Sequence, residues 1–351
     1  MKTNKEDIHI DNEQMDWGKI EDFLRKAITN LPHEEMEVKK FSEGYSNLTY
    51  LITFGDWQGV LRRPPFGKVP PKAHDMKREF QILKKIHPVF PLAPQAYVFS
   101  DDLTVLDKNF YVMEKKEGIV IDGELPEGYH DSRKVGPLIS QSIIENLILL
   151  HSVDYQKSGL SNFGKPEGFV ERQVHGWIKR YENSRTDDIQ HQVELEGWFK
   201  ANIPATTSAT IVHNDFKMNN LVFDEQLLGK INGVLDWELS TIGDPLTDVG
   251  SAVAYWGEAD DPDIGISIVS DQPGFFSRRE FIDVYSKLSG RDMSEISFYV
   301  AFGFYKLAVI LQQIYYRWKI GELKDERFHD LNRAVSNLFE LAHLTRLNRF
   351  L

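Results

Sequence analysis

One short stretch of the sequence gathers side chains that could do chemistry together. His213, Asp215 and Asn220 follow the pattern H-x-D-x-x-x-x-N between the apolar flanks Ile211-Val212 and Leu221-Val222-Phe223. In phosphoryl transfer, a carboxylate beside the acceptor hydroxyl orients it and accepts its proton, while a later amide oxygen reaches a metal across the transferring phosphate. Asp215 would be that base and Asn220 that ligand. The competing interpretation is a polar turn in which these side chains bond to the backbone and His213 is structural.

A second acidic residue favours the catalytic interpretation. Asp236 ends the apolar run that starts at Ile231, so a hairpin return would bring it beside the first loop. Mg²⁺ is bound in phosphoryl transfer by a few carboxylate or amide oxygens together with phosphates. We therefore predict Asp236 and Asn220 as metal ligands. Alone, Asp236 would be an ordinary solvated residue at a strand end.

These segments resemble those of the aminoglycoside phosphotransferase (APH)-like family of the protein-kinase-like superfamily. The resemblance lies in His213-Asn214-Asp215 with Asn220, in Leu235-Asp236-Trp237-Glu238, and in Gly243-Asp244-Pro245 with Asp248. It extends over nearly the whole chain. The sequence looks most similar to the kinase-like N-terminal regions that animals fuse to acyl-CoA dehydrogenases. Further segments point to that branch: Val60-Leu61-Arg62-Arg63-Pro64-Pro65, Ala73-His74-Asp75-Met76, Arg78-Glu79-Phe80, Phe110-Tyr111-Val112-Met113-Glu114, Pro166-Glu167-Gly168, Glu171-Arg172-Gln173 and Phe304-Tyr305-Lys306-Leu307-Ala308-Val309.

The resemblance implies ATP and Mg²⁺ as cofactors, with Asp215 as base, Asn220 and Asp236 on the metal, and His213 supporting the loop. It also implies that Gly44, Ser46 and Asn47 lie over the phosphates. This segment has one glycine, unlike the glycine-rich loop of protein kinases, so backbone amides and the two polar side chains must cover the phosphates. A plain hairpin turn is the alternative.

Further cofactor contacts follow from the same resemblance. Arg62 stands where the family places a phosphate-binding lysine, and its planar guanidinium can clamp phosphate and pair with Glu79 in a different geometry. Two unrelated surface charges are the alternative. Glu114, Lys115 and Lys116 would form the hinge whose backbone meets adenine.

The elements that must hold these residues change character along the chain. We predict an N-terminal helix over 16–30, a hairpin from 41–54 and 60–62, a helix beginning near His74 or Asp75, and a strand over 110–113. Helical periodicity dominates after the flexible segment 114–118, including Val135–Leu150 and an apolar core helix over 296–318.

The expected fold class is therefore α+β, a protein-kinase-like bilobal fold with a small N-terminal lobe of antiparallel sheet plus helix and a larger, mainly helical C-terminal lobe. The expected organisation is a nucleotide-binding lobe over 1–113, a hinge over 114–118, and a catalytic and substrate-binding lobe over 119–351. Asp244 and Asp248 are expected to cap helices and not to touch substrate.

Composition narrows the class of protein. The chain has 351 residues, 41% of them hydrophobic, which suffices for a large core and argues against disorder. A formal net charge of −12 without a long basic run argues against nucleic acid, and the absence of cysteine removes disulfides and thiolate chemistry. The N-terminus has no signal-peptide core, so we expect a cytoplasmic protein without membrane association. The oligomeric state cannot be inferred.

The sequence is compatible with several functions. The favoured one is a kinase that transfers the ATP γ-phosphate to a hydroxyl of a small metabolite, because little room follows Asp236 for an activation loop and peptide platform. The dehydrogenase-fused branch suggests a hydroxyacyl-CoA-type acceptor; an aminoglycoside, amino alcohol or sugar is the alternative. A nucleotide-binding pseudokinase and a carboxylate-metal hydrolase are alternatives of other classes, the second lacking the usual histidine-rich ligands.

Overall fold

The protein divides into two compact units, residues 1–117 and residues 118–351. The computed structural model describes residues 15–41, 47–67, 74–206 and 208–350. Each unit is built around its own secondary structure.

The described residues of unit 1 form an antiparallel sheet with two helices. The sheet order is β1-β2-β3-β5-β4. Its elements are α1 (Trp17–Ala27), β1 (Met36–Lys40), β2 (Leu48–Phe54), β3 (Trp57–Arg63), α2 (Met76–Ile86), β4 (Ala96–Ser100) and β5 (Phe110–Glu114).

The helices of unit 1 begin where the sequence predicts them. The side chain of Asp16 accepts a hydrogen bond from the Lys19 amide at the start of α1, and Asp75 caps α2 through the Arg78 amide. α1 ends at Ala27, within a turn of the predicted end at residue 30. Trp17 of α1 packs edge-on against Tyr50 of β2, with ring centroids 5.1 Å apart, which fixes the helix on the buried sheet face.

The predicted hairpin is confirmed, but the prediction for one of its strands is wrong. β2 and β3 pair antiparallel from Leu48↔Arg63 to Phe54↔Trp57. The turn is only Gly55-Asp56, where Gly55 adopts φ +53°, a conformation that glycine takes at little cost. The predicted stretch 41–54 is a strand only from Leu48 onward: Phe41 and Asn47 lie in neither β1 nor β2, and residues 42–46 lie outside the described residues. Alternation of aromatic and β-branched residues does not show where the first strand stops.

Unit 2 is mainly helical, with two small antiparallel sheets ordered β10-β7 and β6-β8-β9. Its strands are β6 (Ile119–Val120), β7 (Thr210–Val212), β8 (Leu221–Phe223), β9 (Ile231–Val234) and β10 (Thr241–Gly243). Its helices are α3 (Ser132–His151), α4 (Phe169–Ser184), α5 (Gln192–Ala201), α6 (Leu246–Ala254), α7 (Arg278–Ser289), α8 (Ile296–Lys319) and α9 (Leu331–Arg346).

Helix α8 is the core of unit 2. By length and composition it could cross a membrane, yet 83% of its most apolar window is buried inside the fold, as predicted for a core helix. It approaches α6 at two glycines: a Cβ on Gly303 would lie 2.4 Å from the carbonyl oxygen of Gly250. No side chain fits between the two backbones there, so this contact sets the position of α6 and of the residues that α6 carries.

Candidate active site

The predicted catalytic residues lie on a β-strand, a loop and a hairpin of unit 2. β7 leads into the loop that starts at His213, and a turn of 3₁₀ helix, Met218–Asn220, carries the chain into β8. β8 then pairs antiparallel with β9 at Leu221↔Val234. The amide of Leu235 donates to the carbonyl oxygen of Asn220 over 2.8 Å. The hairpin return therefore brings the chain at Asp236 back to the chain at Asn220.

Asp215 is held by two neighbours from its own loop. The side-chain amide of Asn220 donates to Asp215 Oδ2 over 2.8 Å and to the Asp215 carbonyl over 2.9 Å. Lys217 Nζ lies 3.2 Å from the same Oδ2. Because the side-chain nitrogen of Asn220 makes both bonds, its amide oxygen can face a ligand. The carboxylate of Asp215 is oriented before any substrate arrives.

Asp236 occupies an unusual backbone conformation. Its φ of 65° and ψ of 67° lie in the left-handed region, immediately before the buried Trp237. A residue with a Cβ is strained in this region, and such residues cluster at functional sites. The strand-end aspartate is thus turned by a specific backbone geometry after β9.

The catalytic loop is tied to the protein core through Asp248 of α6. Its Oδ2 accepts from the His213 amide and its Oδ1 from the Asn214 amide, each over 2.6 Å. Helix α6 begins after Pro245, so Asp248 is not a cap, and the prediction for this residue is wrong. Asp244 does bond the helix start, accepting from the Leu246 amide over 3.0 Å.

The buried side chain of His213 holds the catalytic loop in place. Its Nε2 lies 3.0 Å from the carbonyl oxygen of Leu235 and must carry the proton that it donates. The ring is fully buried and packs edge-on against Phe216 and Trp237. This contact joins the catalytic loop to the chain just before Asp236.

A buried histidine also contacts Asp248, the residue that anchors the catalytic loop. His151, at the end of α3, lies 3.2 Å from Asp248 Oδ2 through Nε2 and 2.8 Å from the Tyr285 hydroxyl through Nδ1. Burial lowers the pKa of His151 although Asp248 opposes this change. Burial would raise the pKa of Asp248, but the hydrogen bonds from His151 and His213 together hold it below its usual value. The pair is therefore a neutral imidazole that donates to an ionised carboxylate.

The predicted cofactor residues of unit 1 include one buried ion pair. Arg62 Nη1 contacts Glu79 Oε1, and both side chains are almost fully buried. The structure thus brings the predicted partners together. Asn47 is also buried, and its Oδ1 lies 2.7 Å from His74 Nδ1. The predicted phosphate-covering residues Gly44 and Ser46 lie outside the described residues.

The side chains predicted to belong to the hinge make contacts within unit 1. Glu114 accepts from the Gln95 amide over 2.9 Å and pairs with Lys116 Nζ at 2.9 Å. Lys116 also donates to the Pro91 carbonyl over 2.8 Å. These bonds occupy the side chains, so a ligand at this segment would meet its backbone.

A pocket within unit 2 adjoins the catalytic loop. One wall is the loop itself, and others come from the chain after β6, from α3, and from the end of α6 and the segment that follows it. The lining residues are Ile121, Asp122, Gly123, Ile143, Phe216, Lys217, Met218, Asn219, Ala252, Tyr255, Trp256 and 266–270. Asp122 and Lys217 are the charged residues among them. Burial, with a smaller effect of Asp215, raises the pKa of Tyr255 well above its usual value.

Some of the residues around the site are not predicted from the sequence. Lys217 lies inside the recognised motif, two residues after Asp215, and a cation at that spacing is a signal that could have been used. His151 lies 97 positions before its partner Asp248 and 134 positions before its partner Tyr285. No local pattern connects residues at such separations.

The sequence also matches a known protein family. Residues 37–281 match the family model for APH, the phosphotransferase enzyme family. The chain belongs to this family. Membership in the phosphotransferase enzyme family confirms the predicted class, a phosphotransferase with an alcohol group as acceptor.

The curated relatives of this family member are longer proteins. The chain is 33% identical over 328 residues to mouse acyl-CoA dehydrogenase family member 10, covering 92% of this chain and 30% of the relative. It is 30% identical over 342 residues to acyl-CoA dehydrogenase family member 11 of Gallus gallus, covering 93% of this chain and 43% of that relative. The chain therefore spans less than half the length of these relatives. The predicted resemblance to the dehydrogenase-fused branch is confirmed.

Solved structures agree on the fold. A Ralstonia eutropha protein with the provisional description of an aminoglycoside phosphotransferase is 26% identical, with a TM-score of 0.79 over 94% of this chain and 99% of that one. Choline kinase from Cryptosporidium parvum is 13% identical, with a TM-score of 0.66 over 95% of this chain and 96% of that one. A thermostable APH(4)-Ia mutant in complex with AMP-PNP and hygromycin B is 16% identical, with a TM-score of 0.57 over 93% of this chain and 98% of that one. The predicted kinase-like α+β fold is confirmed.

Proposed function

We propose that this phosphotransferase is an ATP- and Mg²⁺-dependent kinase that transfers the γ-phosphate to a hydroxyl of a small metabolite, with a hydroxyacyl-CoA-type compound as the acceptor. The observation that carries the proposal is the pre-oriented cluster in which Asn220 and Lys217 hold the Asp215 carboxylate while Asp248 fixes the loop backbone. A cytoplasmic location belongs to the same proposal, because ATP is the phosphate donor.

Each residue has a distinct role in this proposal. Asp215 accepts a hydrogen bond from the acceptor hydroxyl and takes its proton as the hydroxyl oxygen bonds to the γ-phosphorus. The bond from that phosphorus to the β,γ-bridging oxygen breaks, and ADP leaves. Lys217 Nζ lies 3.2 Å from Asp215 Oδ2 and would offset negative charge beside it. Asn220 and Asp236 offer an amide oxygen and a carboxylate from the two strands of one hairpin.

The donor set fits magnesium. Mg²⁺ prefers oxygen ligands and is usually held by one or two carboxylates plus substrate phosphates. Asn220 and Asp236 supply such oxygens, and the Asn220 amide nitrogen is turned away by its bonds to Asp215. When bound, the metal would neutralise charge on the ATP phosphates. In unit 1, the buried guanidinium of Arg62 is a cation of suitable chemistry for phosphate.

The pocket beside the catalytic loop supports an acyl-type acceptor. Ile143, Trp256, Ile268 and Met218 give it apolar walls, and Asp122 is the one carboxylate among its described lining residues. A polycationic aminoglycoside would call for several carboxylates, whereas an acyl chain with a hydroxyl needs apolar surface and a few polar contacts. Lys217 would suit an acceptor that is neutral or negatively charged.

A panel of acceptors tests the proposal. The protein is incubated with Mg-ATP and separately with hydroxyacyl-CoA thioesters, aminoglycosides, amino alcohols and sugars, and products are identified by mass. We expect a phosphate on the hydroxyl of a hydroxyacyl-CoA compound. Phosphorylation of an aminoglycoside alone would contradict the acceptor class but not the kinase. A Mg-ATP thermal shift without turnover on any acceptor would instead indicate a nucleotide-binding pseudokinase.

Arg62 offers a test of the nucleotide site. Arg62→Lys is expected to raise the KM for ATP about 10-fold with a smaller change in kcat, because a point charge replaces a planar fork that also pairs with Glu79. Steady-state kinetics at saturating acceptor measures this effect. Arg180→Lys, on α4 of unit 2, is the matched control. An unchanged KM in Arg62→Lys would remove Arg62 from phosphate binding.

A further inference from the structure

Away from the catalytic loop, two histidines and two glutamates meet where α5 begins and α9 ends. His191 and His343 stack with ring centroids 3.7 Å apart and an interplanar angle of 19°. Their Nδ1 atoms each lie 3.5 Å from the same oxygen, Glu194 Oε2. Both imidazoles are mostly buried, at 18% and 14% side-chain exposure, while Glu194 is half exposed at 52%. The group is shielded on one side and open to solvent on the other.

The positions of the protons on the two imidazole rings favour binding of a metal cation. His191 Nε2 lies 3.1 Å from Glu340 Oε2, so this nitrogen carries the proton and Nδ1 of a neutral ring has a lone pair. Arg346 Nη2 lies 3.3 Å from His343 Nδ1 and can only donate, so that Nδ1 is an acceptor too. Two ring nitrogens and a carboxylate oxygen therefore lie close together.

The spacing of these atoms fits a shared metal better than hydrogen bonds. An N–H···O bond spans about 2.7–3.2 Å, shorter than the 3.5 Å from either Nδ1 to Glu194 Oε2. Ligands that surround zinc tetrahedrally at about 2.0–2.2 Å are about 3.3–3.6 Å from each other. All three ligand atoms lie within 4.8 Å of one another.

We propose that His191, His343 and Glu194 form a binding site for a divalent transition metal such as Zn²⁺, distinct from the magnesium ligands. Glu340 holds the outer nitrogen of His191, an arrangement common behind zinc-bound histidines. Arg346 contacts Glu194 Oε1, which leaves Oε2 turned toward the imidazoles. The carboxylates of Glu194 and Glu340 outnumber the one guanidinium, so the group remains attractive to a cation. Bound metal links α5 to α9.

Metal titration tests the site directly. Chelator-treated, metal-free protein is titrated with ZnCl₂ in excess Mg²⁺, and stoichiometry is read by calorimetry. We expect one Zn²⁺ per chain with an increase in Tm. His343→Ala should lose this binding, and Glu340→Gln, which keeps both imidazoles and the side-chain size, should weaken it about 10–100-fold. His175→Ala removes an exposed histidine of α4 and should change nothing.

Two results would overturn the zinc site. Equal uptake by wild type, His343→Ala and Glu340→Gln would place the zinc elsewhere in the protein. Absence of uptake by folded wild-type protein would show that these side chains do not bind zinc. Neither result depends on kinase turnover, so failure of the zinc site and failure of the proposed function can be told apart.

Discussion

Replacing Asp215 with alanine is expected to lower kcat by about 10²–10⁴, the usual contribution of a positioned general base. The physical reason is local: the variant removes the carboxylate that Asn220 and Lys217 hold in place. The KM for ATP should change much less, because Asp215 is proposed to contact the acceptor hydroxyl. Steady-state kinetics with the acceptor identified by the panel gives both values.

Two further variants make this result interpretable. Asp215→Asn keeps the size of the side chain and should be as impaired as alanine if proton acceptance matters. Asp260→Ala, an exposed carboxylate of the same unit, should retain wild-type kcat. Full activity in Asp215→Ala with an unchanged Tm would remove this residue from the mechanism and leave the proposed base unassigned.

Replacing Asp248 with asparagine is expected to lower the free energy of unfolding by about 3 kcal/mol, the scale for breaking a buried charged hydrogen-bond network. Asp248 accepts from the amides of His213 and Asn214 and from His151. An asparagine has one acceptor oxygen, so its amide nitrogen must face a donor. Urea unfolding monitored by circular dichroism measures the loss, and kcat should fall with it because the catalytic loop loses its anchor.

The contribution of Asp248 to the free energy of unfolding should depend on pH. Since the folded state holds the pKa of Asp248 below its usual value, its contribution is fully present above about pH 4–5 and is lost as pH falls through the folded pKa. The difference between wild type and Asp248→Asn should therefore shrink at acidic pH. Asp260→Asn should stay within about 0.5 kcal/mol of wild type. A pH-independent difference would contradict the ionised state of Asp248.

How far the sequence predicts this site depends on how far apart the interacting residues lie in the chain. Asp215 and Asn220 share one loop, and the strand pattern after Asn220 is enough to predict the hairpin that returns at Asp236. The buried pair of Arg62 and Glu79 follows from a family resemblance and not from spacing. The anchor formed by His151 could not be predicted, because its partner is distant in sequence and near only after α3 and α6 pack.

Secondary structure is predicted well where capping and periodicity agree, as at Asp16 and Asp75. The prediction fails where a polar residue suits two positions equally. Asp248 follows a Gly-Asp-Pro sequence that is typical of a helix start, so capping is the natural expectation. In the structure the helix begins earlier and the side chain points into the protein, where packing of α6 against α8 decides its partners.

Two of the walls of the unit 2 pocket come from segments that are independent of each other. The loop residues 216–219 belong to the segment proposed to transfer phosphate, whereas 266–270 belong to a separate connection after α6. Evolution, or a library of variants, can exchange side chains in the second segment without altering the first. New acceptors could thus arise by changes in a single stretch of chain while the reaction itself is inherited intact.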